Sequence, residues 1–264
     1  MRVGIDSYSY HRLLGEVRSG EEAPPVRWAP DDVLRHAHSL GVDAVSLETC
    51  FLEPPLTIDA GPLEIVIAWC HPHGLAYGGD REALRDLLEW LDRAAALGCR
   101  LVRCVVGSPA FRGRPFLASV DPLQIALDRA RSLGLELALE NHGDLRTAEL
   151  LELVERVEGL RVCFDTANAL RVGDDPVAAA RAVASHVRMV HLKDVEPLEH
   201  VSDPVAGPCS VAYGEGVVDI AGVLAVLGTP DALVCVELGQ LAPGTDELEL
   251  VGRCVQWLHA SSNG

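Results

Sequence analysis

The stretch SLGLELALENHG, residues 132–143, carries the pattern on which the fold depends. A helical pattern ends at Gly134, a run with alternating leucines follows, and that run finishes on Glu140. Glycine accepts the left-handed conformation that closes many helices, and a period of two is typical of a strand. The stretch therefore predicts a helix, a tight turn and a short strand with Glu140 at its carboxyl end.

Two further segments repeat this joint, SLGVDAVSLE at 39–48 and ALGCRLVRCVV at 96–106. Between helical patterns the chain has strand-like runs at 2–6, 43–48, 74–78, 100–106, 135–140, 161–165, 187–191 and 233–237. Eight such units in about 250 residues are what a (β/α)8 barrel requires. An open doubly wound sheet is the alternative, but its GxGxxG turn is missing after the first strand. We therefore predict the α/β class and a single TIM barrel over residues 1–264.

The composition excludes several classes of partner. The chain has 22 basic and 39 acidic side chains, a formal net charge of −17, and no cluster of Lys or Arg. Such a chain repels nucleic acid and anionic membrane surfaces. No apolar run reaches the ~20 residues of a membrane span, and the opening MRVGIDSYSY lacks the basic and long apolar regions of a signal peptide. We expect a cytoplasmic protein that binds neither nucleic acid nor membranes, and the sequence leaves a homo-oligomer open.

The cysteines indicate reduced thiols. None of the eight falls in a CxxC pair, and Cys99, Cys104, Cys163 and Cys235 lie within apolar runs. Buried free thiols are the expected state, because a chain of this length can build its core without a disulfide framework.

Four successive predicted strands end on a side chain that could bind a metal ion: Glu140, Asp165, His191 and Glu237. In a TIM barrel the carboxyl ends of the strands form the active-site mouth, where packed like charges would repel without a cation. A lone acidic residue after a strand is usually a helix cap, but the four together predict one divalent ion. Three oxygens and one nitrogen suit Mn²⁺, Mg²⁺ or Co²⁺, with Zn²⁺ also compatible, and leave positions open for a substrate.

Alternation along the strands directs these side chains inwards. In 135–140 the leucines share one parity, which would face the helices, and Glu140 shares the other, which faces the barrel interior. The same alternation points Asp165 and Glu237 into the barrel. The pattern is less decisive for His191, which could also lie at an exposed strand start.

Further side chains are candidates for binding the substrate at the mouth. His142 follows Glu140 by two residues and Lys193 follows His191 by two, so each could share its neighbour's direction. Lys193 would then neutralise negative charge on a substrate oxygen, and a solvated loop lysine is the alternative.

Two predicted strands and the first loop supply the remaining candidates. Glu48 ends the second strand with inward parity, where a cap or a salt bridge is the alternative role. Arg103 lies within the fourth strand and would need a buried carboxylate partner, such as Glu140 or Glu136. Tyr8 and His11 belong to a long segment after the first strand, where aromatic rings either stack on a sugar or pack over the barrel end.

Five segments resemble a known superfamily: LALENHG, CFDTANAL, VHLKDV, GEGVVD and VCVELG. They resemble the xylose isomerase-like superfamily of sugar (phosphate) isomerases and epimerases, which also includes hydroxypyruvate isomerases, inosose dehydratases and apurinic endonucleases. The resemblance extends from residue 4 to residue 239. It implies a xylose isomerase-like barrel in which the four candidate ligands hold one metal ion, while Glu140 and Glu237 also move protons.

The function predicted on this basis is a metal-dependent isomerase or epimerase of a small polyhydroxy carbonyl compound, derived from a sugar or polyol. A divalent ion would polarise the carbonyl, and proton transfer through an enediolate would follow. The alternative is a dehydratase or lyase of an inosose- or keto-sugar-like substrate, because elimination shares the first steps. Asn168 stands where relatives often have His, which argues, with the acidic charge, against an apurinic endonuclease. The intact ligand set argues against a non-catalytic partner subunit.

Overall fold

Each of the three repeated joints turns at a glycine in the left-handed conformation. In the computed structural model, which describes residues 1–72, 74–75, 81–197, 207–228 and 231–261, Gly41, Gly98 and Gly134 have φ of +69°, +77° and +73°. The N–H of each donates to a carbonyl three residues earlier in the helix. One of the free carbonyls at the helix end is thereby satisfied, and the chain turns directly towards the next strand.

Eight parallel strands close into a barrel, as the sequence predicts. The described residues form the strands β1 (Arg2–Asp6), β2 (Ala44–Glu48), β3 (Glu64–Ala68), β4 (Leu101–Cys104), β5 (Glu136–Glu140), β6 (Arg161–Asp165), β7 (Val187–Leu192), β8 (Asp194–Val195), β9 (Ser210–Val211) and β10 (Leu233–Val236). Strands β1 to β7 pair in sequence order, and β10 pairs with both β7 and β1 to close the ring. The short strands β8 and β9 form a separate antiparallel pair after β7.

The helices connect these strands, and their apolar side chains pack against the barrel wall. Those in the described residues are α1 (His11–Leu14), α2 (Pro30–Ser39), α3 (Arg81–Ala96), α4 (Val120–Ser132), α5 (Thr147–Arg156), α6 (Thr166–Arg171), α7 (Pro176–Val183), α8 (Ile220–Leu227) and α9 (Glu247–Ser261). None of them is both long enough and apolar enough to cross a membrane.

The barrel wall separates two apolar layers, which confirms the predicted alternation. Leu137 and Leu139 of β5 belong to the outer layer beneath the helices, whereas Ala138 belongs to the inner one. The inner layer consists of Ala44, Val66, Leu101, Ala138, Cys163, Met189, Leu233 and Cys235. Polar strand ends of the same parity therefore point into the mouth of the barrel.

The third strand is where the sequence prediction is wrong. The pattern GLAYG at 74–78 predicts the third strand, but the third barrel strand is β3, at 64–68. Residues 74–75 form a turn, and residues 76–78 lie outside the described residues. In β3, Val66 faces the interior while Ile65 and Ile67 face the helices. A strand that buries both faces is a continuous apolar run, so it lacks the alternation that marks the other strands.

Short polar side chains tie neighbouring strand ends together at the mouth. Asn141 donates to the carbonyl of Asp165 at 2.8 Å and accepts from its N–H at 2.7 Å. Thr166 makes the same pair of bonds to the backbone of Lys193, at 2.8 and 2.9 Å. Ser9 links the first and last barrel strands in the same way. These paired bonds fix the relative heights of the strand ends and so of the side chains they carry.

The loop after β9 folds around one buried carboxylate. Asp194 Oδ2 accepts the N–H groups of Gly214 and Gly216 at 2.9 and 3.0 Å, and Oδ1 accepts that of Val218 at 3.0 Å. The segments VHLKDV and GEGVVD are therefore joined structurally, and Asp194 holds the loop rather than a substrate.

Replacing Gly216 with alanine should lower the free energy of unfolding by about 2–4 kcal/mol. A Cβ at this position would lie 2.1 Å from Asp194 Oδ1 and 2.4 Å from the carbonyl of Val195, so the loop would have to leave the carboxylate. Gly252→Ala in α9 is the control, because its nearest neighbour would be Leu40 Cδ2 at 4.0 Å; we expect it to be neutral or stabilising by up to about 1 kcal/mol. Urea denaturation measures both, and equal midpoints would contradict the expectation.

Candidate metal centre

The four predicted ligands converge at the carboxyl ends of β5, β6, β7 and β10. One ligand atom from each of Glu140, Asp165, His191 and Glu237 lies within 4.8 Å of all the others. All four residues are buried, with at most 4% of their surface exposed. The register of β6 and β7 places Asp165 opposite His191, which points into the barrel with the acidic ligands. The sequence pattern left the direction of His191 open, and the structure decides it.

The donor set fits a divalent cation. Glu140 Oε2, Asp165 Oδ2, His191 Nδ1 and Glu237 Oε2 are buried, and their close contacts with one another and with Arg103 and Lys193 are ion pairs rather than well-formed hydrogen bonds. His191 Nδ1 lies 2.6 Å from Glu237 Oε2 and 3.6 Å from Glu140 Oε2. Carboxylate oxygens with one imidazole nitrogen are what hard or borderline divalent ions prefer.

Arg103 lines the cavity and forms two buried ion pairs, each with a different glutamate. Its Nε lies 2.8 Å from Glu140 Oε2, and its Nη2 donates to Glu48. Burial would raise the pKa of Glu140, but Arg103, His191 and His142 together outweigh it and the pKa falls well below its usual range. For Glu48 burial prevails over Arg103 and the pKa rises. The predicted pairing of Arg103 with Glu140 is confirmed, whereas Glu136 pairs with Arg188 at the other end of the barrel.

Lys193 lies between two of the ligands. Its Nζ is 2.9 Å from Asp165 Oδ2 and 2.9 Å from Glu237 Oε1. Burial opposes ionisation of Glu237, but His191 and Lys193 outweigh it and lower its pKa to about 2. For Asp165 burial prevails over Lys193, and the pKa is raised. The ammonium group of Lys193 thus neutralises part of the negative charge that would also attract a metal ion.

Asp6 is a further buried acid at the mouth, and the sequence reasoning missed it. Its Oδ2 lies 3.5 Å from His191 Nε2, and its Oδ1 accepts the N–H of Tyr8 at 2.8 Å. Burial raises its pKa. The strand-end pattern that selects the four ligands also selects Asp6, the last residue of RVGID. With Asp6 included, buried acids outnumber buried cations at the mouth, and a divalent ion would offset the difference.

Asn168 links the ligand set to the start of α6. Its N–H donates to Asp165 Oδ1 at 2.8 Å, and its Nδ2 donates to Glu140 Oε1 at 3.2 Å. Asp165 Oδ1 therefore caps the N-terminus of α6, while the other oxygen of Asp165 faces the candidate metal ligands. The amide of Asn168 orients a ligand at the position where related chains often have His.

A cavity of about 680 Å³ adjoins the ligand set. Its size is that of a site for a small molecule. Of the four ligands, Glu237 lines it. The predicted substrate-binding residues that line it are Tyr8, Glu48, Arg103, His142 and Lys193. His142 also places its Nδ1 3.2 Å from the carbonyl of Gly107, which lies after the neighbouring strand β4 and lines the cavity too.

His11 does not line this cavity, contrary to the expectation from sequence. Its Nδ1 lies 2.9 Å from the carbonyl of Tyr8, and its Nε2 lies 2.9 Å from Glu21 Oε1. Its ring stacks on that of Tyr8 with centroids 5.1 Å apart. Because both nitrogens have protein partners and the ring is covered, His11 positions Tyr8 instead of contacting a substrate.

The comparison with known proteins agrees with the fold. A family model described as the xylose isomerase-like TIM barrel matches residues 34–248. The chain belongs to this family. A stretch of 63 residues, 23% of the chain, is 38% identical to the uncharacterized protein YihM of Escherichia coli (strain K12), and it covers only 19% of that protein.

Solved structures share the xylose isomerase-like barrel over nearly the whole chain. The probable 3-DHS dehydratase AsbF of Bacillus anthracis has a TM-score of 0.75 at 15% identity, covering 98% of this chain and 99% of that one. An L-ribulose 3-epimerase has a TM-score of 0.73 at 17% identity, with coverage of 99% and 94%. The IolI protein, solved with a zinc atom, has a TM-score of 0.72 at 15% identity, with coverage of 99% and 96%. At these identities the likeness shows the fold.

Proposed function

We propose that this chain is a divalent-metal-dependent isomerase or epimerase of a small polyhydroxy carbonyl compound derived from a sugar or polyol. The observation that supports the proposal most is the set of four buried ligand atoms that converge within 4.8 Å of one another beside a cavity of small-molecule size. A divalent ion held by Glu140, Asp165, His191 and Glu237 would supply Lewis-acid polarisation of a carbonyl. We propose Mn²⁺ first, with Mg²⁺, Co²⁺ and Zn²⁺ as alternatives, because most of the ligands are oxygens.

Glu237 is the group best placed to move the substrate proton. It lines the cavity, and its carboxylate is the form that accepts a proton. The ammonium group of Lys193 lies 2.9 Å from Glu237 Oε1. Negative charge that develops on a substrate oxygen near this carboxylate would therefore meet a fixed positive charge, which lowers the barrier to enediolate formation.

Glu140 is the second proton-transfer group in our proposal. Arg103 and Asn168 each contact one of its oxygens and hold the carboxylate in place. Return of the proton to the opposite face of the same carbon gives an epimer, and return to the neighbouring carbon gives an isomer. Loss of a β-hydroxyl group instead gives the dehydratase or lyase alternative.

Two arginines on the cavity wall bear on the choice of substrates to test. Arg18 and Arg171 both line the cavity, and among the described residues neither has a carboxylate within ion-pair distance. Guanidinium groups that face a cavity favour ligands with an acidic group. Hydroxypyruvate and sugar acids therefore belong in the substrate panel beside neutral ketoses, aldoses and inososes.

The experiment is a turnover panel on metal-loaded protein, with products separated by chromatography. We expect at least one of these compounds to be converted, the conversion to stop on chelation and to return when the metal is restored. Asp165→Asn is the matched variant, because it keeps the side-chain shape and removes one ligand charge. Conversion that persists in verified metal-free protein would contradict the proposed metal dependence.

A further inference from the structure

Two cysteines face each other on the wall of the cavity, at the ends of neighbouring strands. β2 and β3 pair in parallel, with Glu48 opposite Ala68. Cys50 and Cys70 follow these residues by two positions, so the register brings them to the same level of the mouth. Both line the cavity beside Glu48.

The two sulfur atoms lie close together. One Sγ from each cysteine and one carboxylate oxygen of Glu48 lie within 4.8 Å of one another. The N–H of Cys50 donates to Cys70 Sγ over 3.3 Å, and Thr49 Oγ1 lies 3.5 Å from the same sulfur. The N–H of Cys70 in turn donates to Thr49 Oγ1 at 3.0 Å. The sulfur of Cys70 therefore accepts one backbone N–H and lies beside the Thr49 hydroxyl, which also lies 3.2 Å from the carbonyl of Cys70.

These donors favour the thiolate form of Cys70. The neighbouring thiol of Cys50 favours the thiolate most, and although burial opposes ionisation, Thr49 and Arg103 add to the effect and lower the pKa of Cys70 to about 5. The same contact, together with burial, raises the pKa of Cys50. One thiolate is thus paired with one thiol, which is the arrangement of reactive rather than structural cysteines.

The pair is also accessible from solvent. Cys50 is exposed and Cys70 is half-buried. Cys209 is half-buried too, but burial and a hydrogen bond to Glu196 raise its pKa to about 11. The other cysteines are buried: Cys99, Cys104, Cys163, Cys235 and Cys254.

We propose that Cys50 and Cys70 form a modification site on the cavity wall, a dithiol that reacts with low-molecular-weight disulfides. Cys70 Sγ attacks one sulfur of the disulfide, and the first thiolate leaves as a mixed disulfide forms. Cys50 then loses its proton and attacks Cys70 Sγ, which releases the second thiolate and closes a Cys50–Cys70 bond. Two protein thiols are oxidised while the reagent is reduced to two thiols, so electrons and protons balance.

The test treats the reduced, full-length protein with a chromogenic aromatic disulfide at pH 6. We expect two coloured thiolates per chain and an intact mass lower by two hydrogens, with no reagent attached, because Cys50 resolves the adduct on Cys70. Peptide mapping without reductant should then show the Cys50–Cys70 crosslink. Cys209→Ser is the matched control and should behave as the wild type.

Single variants separate the two roles. Cys50→Ser should release one thiolate and retain the reagent on Cys70. Cys70→Ser should react about tenfold more slowly at pH 6, because an ordinary thiol pKa of ~8.5 lowers the thiolate fraction about 300-fold while its greater nucleophilicity recovers about 30-fold. Reagent retained on both cysteines of the wild type, or colour released by Cys209 alone, would overturn the proposal. The wild-type peptide map shows whether the Cys50–Cys70 crosslink forms even where a serine variant fails to fold.

Discussion

Glu237→Gln should lower the rate of proton exchange at the substrate carbon by about 10³-fold or more, while the barrel remains folded. An amide cannot accept the proton, and Glu237 is the one of the four ligands that also lines the cavity. The measurement is the exchange rate at saturating substrate, with metal content determined on the same sample. If the variant binds less metal, exchange is compared at equal occupancy, which separates the loss of a ligand from the loss of a base.

The control for this variant is the same chemical change away from the site. Glu152 lies on α5, partly exposed, and pairs with Arg156 at 2.7 Å. Glu152→Gln should exchange at the wild-type rate, because a surface pair of this kind has little effect on stability and none on the cavity. An exchange rate in Glu237→Gln that equals that of Glu152→Gln would show that Glu237 does not move the proton.

Metal loading should bind one equivalent of a divalent ion and stabilise the fold. At a metal concentration 100 times the Kd, the expected gain is about 2.7 kcal/mol, which corresponds to a rise in Tm of roughly 5–10 °C. Asp165→Asn or His191→Ala should weaken binding at least about 100-fold, because each removes one of the four buried ligands that converge at this site. Elemental analysis and thermal unfolding, before and after chelation, provide the measurement.

The same experiment must distinguish metal binding at Cys50 and Cys70 from metal binding at the four-ligand site. Cys50 and Cys70 offer soft donors with Glu48, so a thiophilic ion could bind there as well. The double serine variant at these two positions should keep its full equivalent of Mn²⁺. Loss of Mn²⁺ in that variant, or no stoichiometric metal in the wild type after loading with Mn²⁺, Co²⁺, Mg²⁺ and Zn²⁺ in turn, would contradict the assigned ligands.

The parts of the fold that follow from sequence are those whose pattern is local. Gly41, Gly98 and Gly134 mark helix ends because only the left-handed conformation fits there, and alternation in β5 places Glu140 inside the barrel. The carboxyl ends of parallel strands share one edge, so four strand-end ligands could be placed together without knowing any distance. Asp6 could have been found by the same rule.

The remaining features depend on packing between segments that are distant in sequence. β3 buries both faces, so its run EIVIA shows no alternation of polar and apolar residues. The prediction that GLAYG forms the third strand is therefore wrong. His11 points away from the cavity because Glu21, ten residues later, binds its Nε2. The contact between Cys50 and Cys70 requires the register of β2 with β3, which a misplaced third strand cannot give.

Solvent-deuterium incorporation tests the central claim most directly, because it follows the proton and not the final product. Metal-loaded protein is incubated in D₂O with ketoses, aldoses, hydroxypyruvate, sugar acids and inososes, and the carbon next to the carbonyl is followed by NMR. For any compound that turns over, we predict deuterium at that carbon, at a rate that depends on Glu237 and on the bound metal. Turnover of a good substrate with no deuterium entering it would contradict proton transfer by Glu140 and Glu237.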